Sequence, residues 1–539
     1  MALKLRTHAI LALVFYLLTL GQQYLFYWLK AIPIIPFVPG KYLGIYFLFF
    51  IFTFIQGPRL RFFFLSGIFV LNSFQMGHLS YFGTQLLPGE IYQLVTQWGE
   101  VEGTLKEELR HVVVPLLMTL IPLGIGLYFH RRYVPAYRLR FLGLLCVLYV
   151  LYNPLRTYVT GNTWGRQPST KELTGMNVYL AGSYFFGKIL PYKLSLSGSA
   201  GEANSSLNVK IEGAKPAEWD KVIVVLGESL TPNHMSLFGY DRETTPFLKS
   251  RIDDKNFFYT VGLSGGVSTD ISVAFLLNLG FGSAGVLKAA KGTQCLFRLA
   301  KDQSFHTHFL SVQSSEQLRY ISPYLCSSFL DDYRGLEEIS PATKDHQAAV
   351  DRDLLPHLEK LLQDPSKRFL ILHQRGSHGP WELRSTEKSK LFSGNSDTET
   401  RIADYDNSVV EFDHFWRELH RILEAQKGRA LVVYVSDHGE AVGEKNRWGH
   451  GFIEPLAFEI PVLITSYNKD LPSDVAEIPN FITHYNLGLF LARELGYETN
   501  VNYLERPSDY EIYGNDIDGF AGRARIKFLG KNYTFKYSP

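Results

Sequence analysis

Leu431 to Glu440 reads LVVYVSDHGE. The run Leu431–Val435 is unbroken, apolar and rich in β-branched residues, which predicts a strand buried on both faces of a parallel sheet. Asp437 and His438 then stand at its C-terminal end, the edge outside which ligands bind in open α/β sheets. A carboxylate followed by an imidazole suits a divalent metal such as zinc, and Gly439 is expected to let the backbone turn sharply beside them. A strand ending in an ordinary polar turn is the plainer reading. It gives way because other strands of this chain end in the same manner.

Working outward, Lys221–Leu226 (KVIVVL) predicts a second strand that runs into Gly227-Glu228-Ser229, and Phe369–Leu372 a third that leads to Gly376-Ser377-His378-Gly379-Pro380. His450, in Trp448-Gly449-His450-Gly451, follows SDHGE by a short loop. Glu228, Asp437 and His438 are therefore three candidate metal ligands from two strand ends, and His378 and His450 arrive at the same edge of the sheet. Leu263–Val273 (LSGGVSTDISV) is a Gly-rich turn followed by Ser268, Thr269 and Asp270. A hydroxyl at such a turn meets a metal on one side and backbone amides on the other, while as a helix N-cap it needs no chemistry at all. Thr400 to Ala425 predicts a helix with Val409, Phe412, Trp416, Leu419 and Leu423 on one stripe and charge on the other. From about Val209 onward, short apolar runs alternate with amphipathic ones, the pattern of an α/β domain.

The 539 residues exceed one ordinary core, so at least two domains are expected. A formal net charge of +2 gives no case for a nucleic-acid partner. Long apolar stretches crowd the first 160 residues, and five read as membrane spans: residues 9 to 29, 42 to 57, 60 to 76, 111 to 129 and 140 to 156. Several fall short of the roughly 20 residues a span needs, and flanking Arg and aromatic side chains extend them to the interface. Lys4 and Arg6, then Arg59 and Arg61, then Arg131, Arg132, Arg138 and Arg140 occupy alternate loops, which places those loops in the cytoplasm and the rest of the chain on the far side. The loop Gly77 to Arg110, with Glu90, Glu100, Glu102, Glu107 and Glu108, is then external. Met176–Tyr192 reads as an interfacial segment and Ser195–Ser206 as a Gly/Ser-rich linker. The expected division is residues 1–158, a five-helix transmembrane domain; 159–206, interfacial segment and linker; and 207–539, a catalytic domain. Of the three cysteines, Cys146 lies in an apolar stretch; Cys295 and Cys326 are either a single disulfide pair or two unrelated buried thiols.

Glu228 in VVLGES, Gly239-Tyr240 and Thr244-Thr245-Pro246 in LFGYDRETTPFL, Thr269 in GVSTDISV, then LHQRGSHGP, YDNSVVEFDHF, and SDHGE followed by GHG form an ordered set. In that order they resemble the membrane-anchored phosphoethanolamine transferases of the alkaline phosphatase and sulfatase superfamily. The resemblance implies a sulfatase-like α/β domain with a central, mostly parallel sheet behind a five-helix anchor. It implies Thr269 as nucleophile, Glu228, Asp437 and His438 as zinc ligands with Thr269 completing the set, and His378 and His450 as binders of the phosphoryl group, substrate or a second Zn2+. The donor implied is phosphatidylethanolamine; the acceptor is lipid A, lipopolysaccharide (LPS) core or another envelope molecule; the location is a bacterial inner membrane with the catalytic domain in the periplasm. One departure is that Ser229-Leu230-Thr231 follows Glu228, where the family usually carries Thr and then Arg. Alternatives of other kinds are a phosphoglycerol transferase using phosphatidylglycerol and a non-catalytic membrane regulator. The Cys or Ser followed by Pro-Ser-Arg that marks a true sulfatase is absent around Thr269.

Overall fold

The computed structural model describes residues 2–30, 39–82, 85–86, 88–96, 109–133, 139, 141–160, 174–191, 211–282, 294–341, 351–515 and 522–538. The Gly/Ser-rich linker, Arg138, Arg140, Glu100, Glu102, Glu107 and Glu108 lie outside the described residues. The chain divides into two compact units, Met1–Ser199 and Ala200–Pro539.

The first unit is helical: α1 (Ala2–Leu29), α2 (Pro39–Phe52), α3 (Pro58–Phe82), α4 (Pro88–Thr96), α5 (Leu109–Arg132), α6 (Leu142–Thr160) and α7 (Thr174–Tyr184). Helices form at all five predicted spans. Among the described residues, however, four are long and apolar enough to cross a membrane: α1, α3, α5 and α6. The second predicted span is a helix of only 14 residues, short of a hydrocarbon core of about 30 Å at 1.5 Å per residue. Leu17, Phe63, Ile121, Leu144, Leu155 and Val159 are each more than half exposed, a surface that suits lipid and not water. Within the unit, Arg61 Nε donates to His130 Nε2 (3.1 Å) and His8 pairs with Thr53 (2.8 Å). The start of α1, the end of α2, the start of α3 and the end of α5 therefore share one end of the bundle. Arg61, expected in the loop between the second and third spans, is instead buried in the first turn of α3. Of the predicted Met176–Tyr192 segment, the described residues 176–191 are helical and pack on α6, where Tyr179 donates to the Val150 carbonyl (2.9 Å) and a Cβ at Gly187 would clash with the Pro154 carbonyl.

The second unit is built on an eight-stranded sheet. Its strands are β1 (Lys221–Gly227), β2 (Phe257–Leu263), β3 (His306–Ser311), β4 (Asp332–Arg334), β5 (Arg368–His373), β6 (Ala430–Ser436), β7 (Glu459–Tyr467) and β8 (Ile482–Thr483), in spatial order β8-β2-β7-β6-β1-β5-β3-β4. All pairings are parallel except those of β7, which runs antiparallel to both neighbours. Every residue of β1, β5 and β6 is buried, as a strand covered on both faces requires. Successive side chains alternate between two cores. Val222, Val224, Val433 and Val435 join one with Leu487, Phe490 and Leu491; Ile223, Val225, Val432 and Tyr434 join the other with Val409, Phe412, Trp416, Leu419 and Leu423. Each such side chain contributes roughly 1.5–3 kcal/mol of burial.

Four helices matter for the site: α8 (Thr269–Leu277), α9 (Ser315–Ile321), α10 (Asp397–Ala425) and α11 (His484–Glu494). The helix predicted from Thr400 begins earlier, where Ser396 Oγ accepts from the Glu399 amide as its N-cap. A three-stranded antiparallel sheet of β9 (Glu511–Tyr513), β10 (Arg523–Leu529) and β11 (Asn532–Ser538) closes the chain. Tyr513 pairs with the Gly-rich turn, donating to the Gly265 carbonyl (3.0 Å) and accepting from Val267 (3.1 Å). Cys295 and Cys326 are joined in a disulfide, and Cys146 is a buried free thiol.

Candidate active site and metal centre

Parallel pairing sets Gly227 of β1 beside Ser436 of β6. The next residues, Glu228 and Asp437, therefore emerge side by side, both fully buried. His438 Nε2 lies 3.4 Å from Glu228 Oε1 and 3.2 Å from Asp437 Oδ2. Ser229 holds a left-handed φ of 56°, strained for a residue with a Cβ. In that conformation its amide donates to Asp437 Oδ1 (3.0 Å) and its hydroxyl to Glu228 Oε1 (3.0 Å). Gly376, at φ 56°, brings the loop after β5 against this corner; a Cβ there would stand 2.5 Å from the Glu228 carbonyl. Gly439 does not occupy the left-handed region expected of a sharp turn. It is required because a Cβ would lie 2.4 Å from the Leu456 carbonyl and 2.7 Å from that of Glu459.

Thr269 opens α8 but does not cap it. Ser268 holds the N-cap position without a capping bond and gives its hydroxyl to Asp270 Oδ1 (2.7 Å). Thr269 Oγ1 instead lies 3.1 and 3.3 Å from the two Glu228 oxygens. The capping reading of this turn thus fails for Thr269, and its hydroxyl joins the carboxylates and His438.

The remaining histidines gather at the same edge. His450 and His438 have ring centroids 4.1 Å apart, and His378 and His450 5.6 Å. His378 Nδ1 pairs with the Gly379 carbonyl (2.6 Å), and its desolvation pushes the imidazole down to about 3, so it is neutral with Nε2 as an acceptor. His450 Nδ1 meets the buried Glu440 carboxylate at 2.8 Å.

Sequence reading missed the supports. Gln313 Nε2 donates to Glu228 Oε2 (3.0 Å) and Gln317 Nε2 to Thr269 Oγ1 (3.1 Å). His484 accepts from the Gly265 amide (3.3 Å) and pairs with the Ser436 carbonyl (3.0 Å), bracing the Gly-rich turn against the end of β6. Glutamines and an isolated histidine carry no motif; only the Ser-x-x-Gln spacing at Ser314 hinted at order. The motif residues Gly239-Tyr240 and YDNS lie around a second network. Asp406, fully buried, accepts from Tyr240 (3.0 Å) and Arg242 (2.7 Å) and pairs with His234 (2.6 Å). That network orders the segment leaving Glu228.

Glu228, Asp437 and His438 offer three donor atoms within 4.8 Å of one another, all buried. Asp437 Oδ2 and His438 Nε2 are buried without an aligned hydrogen bond, which a native interior seldom tolerates. Burial and the Glu228 charge push the Asp437 carboxyl up. Burial alone would lower His438, but Asp437 and Glu228 hold it above its ordinary range. Burial would raise Glu228, and His438 overcomes it and holds it low. Two carboxylates and an imidazole crowded in this way keep a proton that a divalent cation would displace. Two oxygens and one nitrogen with an open fourth position fit zinc. His438, Glu440 and His450 form a second group of donors. It shares His438, whose Nδ1 already pairs with the Gly439 carbonyl (3.0 Å).

The model of the Sulfatase family matches residues 220–516, more than half of the chain. The chain belongs to the sulfatase family. This sulfatase-family chain is 28% identical over 292 residues to the phosphoethanolamine transferase EptA of Helicobacter pylori, covering 50% of this chain and 53% of that protein. It is 26% identical over 336 residues to the Kdo(2)-lipid A phosphoethanolamine 7''-transferase of Salmonella typhimurium, covering 57% of each. The chain spans about half the length of the curated relatives it matches. Its fold is like that of the integral membrane lipooligosaccharide phosphoethanolamine transferase A of Neisseria meningitidis, at 18% identity and a TM-score of 0.58, with 93% of this chain and 97% of that one covered.

Proposed function

We propose that this protein transfers phosphoethanolamine from phosphatidylethanolamine to an envelope acceptor such as lipid A or LPS core, through a phosphothreonine at Thr269. The observation that carries the reading is the Thr269 hydroxyl set against the buried Glu228–Asp437–His438 cluster, with two further histidines beside it. The relatives named above supply the headgroup and acceptor class.

In this reading the Thr269 oxygen attacks phosphorus. The new Oγ–P bond forms as the P–O bond to diacylglycerol breaks, and its electron pair leaves on the glycerol oxygen, which takes up a proton. The threonine proton leaves along the hydrogen bond its hydroxyl makes to Glu228, and His378 and His450, the latter paired with Glu440, line the phosphoryl site. An acceptor oxygen then attacks phosphorus in line, the Oγ–P bond breaks, and Thr269 regains a proton. Zinc held by Glu228, Asp437 and His438, with Thr269 completing the set, would lower the pKa of the hydroxyl and offset phosphoryl charge. A single zinc fits best, because the second donor group depends on the one free nitrogen of His438. The disulfide favours an oxidising compartment, and the apolar helices favour a membrane location, so we assign the catalytic unit to the periplasmic side of the inner membrane.

The test is diacylglycerol release by the detergent-purified full chain given labelled phosphatidylethanolamine or phosphatidylglycerol, with Thr269→Ala alongside. Release from phosphatidylethanolamine alone, lost in Thr269→Ala, is expected. Release from phosphatidylglycerol alone would make the protein a phosphoglycerol transferase, and release from neither with zinc bound would favour a non-catalytic regulator.

A further inference from the structure

Gln317 sits where local sequence gives it another task. Ser314 caps α9, accepting from the Gln317 amide (3.2 Å). In a Ser-x-x-Gln capping box the glutamine side chain returns to the N-cap amide. Here its carboxamide, on a residue only 9% exposed, crosses to Thr269 Oγ1 at 3.1 Å. Four positions earlier Gln313 is fully engaged. Its Nε2 donates to Glu228 Oε2 (3.0 Å) and the Gln374 carbonyl (2.9 Å), and its Oε1 accepts from Arg375 (3.2 Å). One glutamine thus holds the ligand carboxylate while the other holds the nucleophile.

Resting on the transferase reading above, we infer that Gln317 is a catalytic hydrogen-bond donor to the Thr269 oxygen, and to the phosphoryl group once that oxygen carries it. The Thr269 hydroxyl donates toward Glu228 and accepts from Gln317; the Gln317 contact persists on the alkoxide and favours it, whereas the Glu228 charge opposes it until a cation offsets that charge. A carboxamide carries two N–H groups. One can stay on Oγ1 while the other meets a non-bridging oxygen of phosphorus bonded to that same Oγ1. Neutrality matters: a cationic donor this close would form an ion pair with Glu228 and compete with the metal for it. An amide stabilises developing charge without doing so.

The experiment compares the full chain with Gln317→Met, which keeps length and volume but cannot donate, and Gln317→Glu, which replaces the donor by an acceptor. Zinc content and melting temperature are followed with donor-lipid turnover. The expected result is a loss in kcat of about 10²–10³ for Gln317→Met, a larger loss for Gln317→Glu, and a KM, zinc content and melting temperature near those of the wild type. A Gln317→Met enzyme within about threefold of wild-type kcat, or one no better than Gln317→Glu, would overturn the inference while leaving the transferase reading in place. An inactive wild-type chain would remove both.

Discussion

Asp437 and Glu228 stand together because two parallel strands end in register; burial and the Glu228 charge push the Asp437 carboxyl up, so the cluster holds a proton or a cation. Asp437→Ala should therefore release zinc. We expect a fall in affinity well beyond the roughly 10–100-fold that loss of an outer-shell partner causes, read by elemental analysis of the purified variant; full zinc occupancy would remove Asp437 from the ligand set. At this scale the sequence was most informative where chemistry coincides with a strand end. Glu228, Asp437 and His438 each follow an apolar run, and Thr269 follows a Gly-rich turn. Gln317, Glu440 and His484 were invisible because their roles depend on three-dimensional neighbours 48, 10 and 48 positions away. Gly439 was noticed for the wrong reason, since contacts of its missing Cβ with Leu456 and Glu459 cannot be read from one strand.

Helix α10 does more than cover the sheet. Its Asp413, fully buried, accepts from the amides of Phe247 and Leu248, both at 3.0 Å, and so anchors the segment that follows the Thr244-Thr245-Pro246 motif. Burial pushes this carboxyl from 3.8 up to about 6, against the two amide bonds. A raised folded-state value means that the native protein binds the proton more tightly than the unfolded chain. Its stabilisation is complete below the unfolded value near pH 4 and is lost as pH rises through about 6. Asp413→Asn removes that dependence, so its deficit in unfolding free energy relative to wild type, read by denaturant melts, should shrink between pH 4 and pH 6.5 by about 3 kcal/mol or less. A deficit that is constant or grows over the same interval would contradict the assignment. The strands flanking the site and the α10 stripe were legible because period-2 and 3.6-residue patterns survive in one dimension. The antiparallel direction of β7 was not, since a strand buried on both faces looks the same in either orientation.

At the scale of the molecule, basic residues and polar bonds within the helical unit point to one membrane side. Arg61 meets His130, and His8 meets Thr53, at the same end of the bundle. An exported phosphatase fused after residue 160 should be active in cells if that end is cytoplasmic; an inactive fusion would reverse the orientation. Composition announced this unit plainly. It overstated the second span, because hydropathy does not show where a helix ends. Whether Cys295 and Cys326 pair was open in the sequence, since a separation of 31 positions says nothing of proximity. The family reading came from motif order, which survives even where the headgroup is undetermined. The most direct measurement is mass analysis of the Thr269 peptide after the full chain is quenched during turnover on phosphatidylethanolamine. A phosphoethanolamine adduct on Thr269 that acceptor lipid removes is expected; an unmodified Thr269 in a protein that is turning over, or the adduct on another residue, would contradict the role of Thr269.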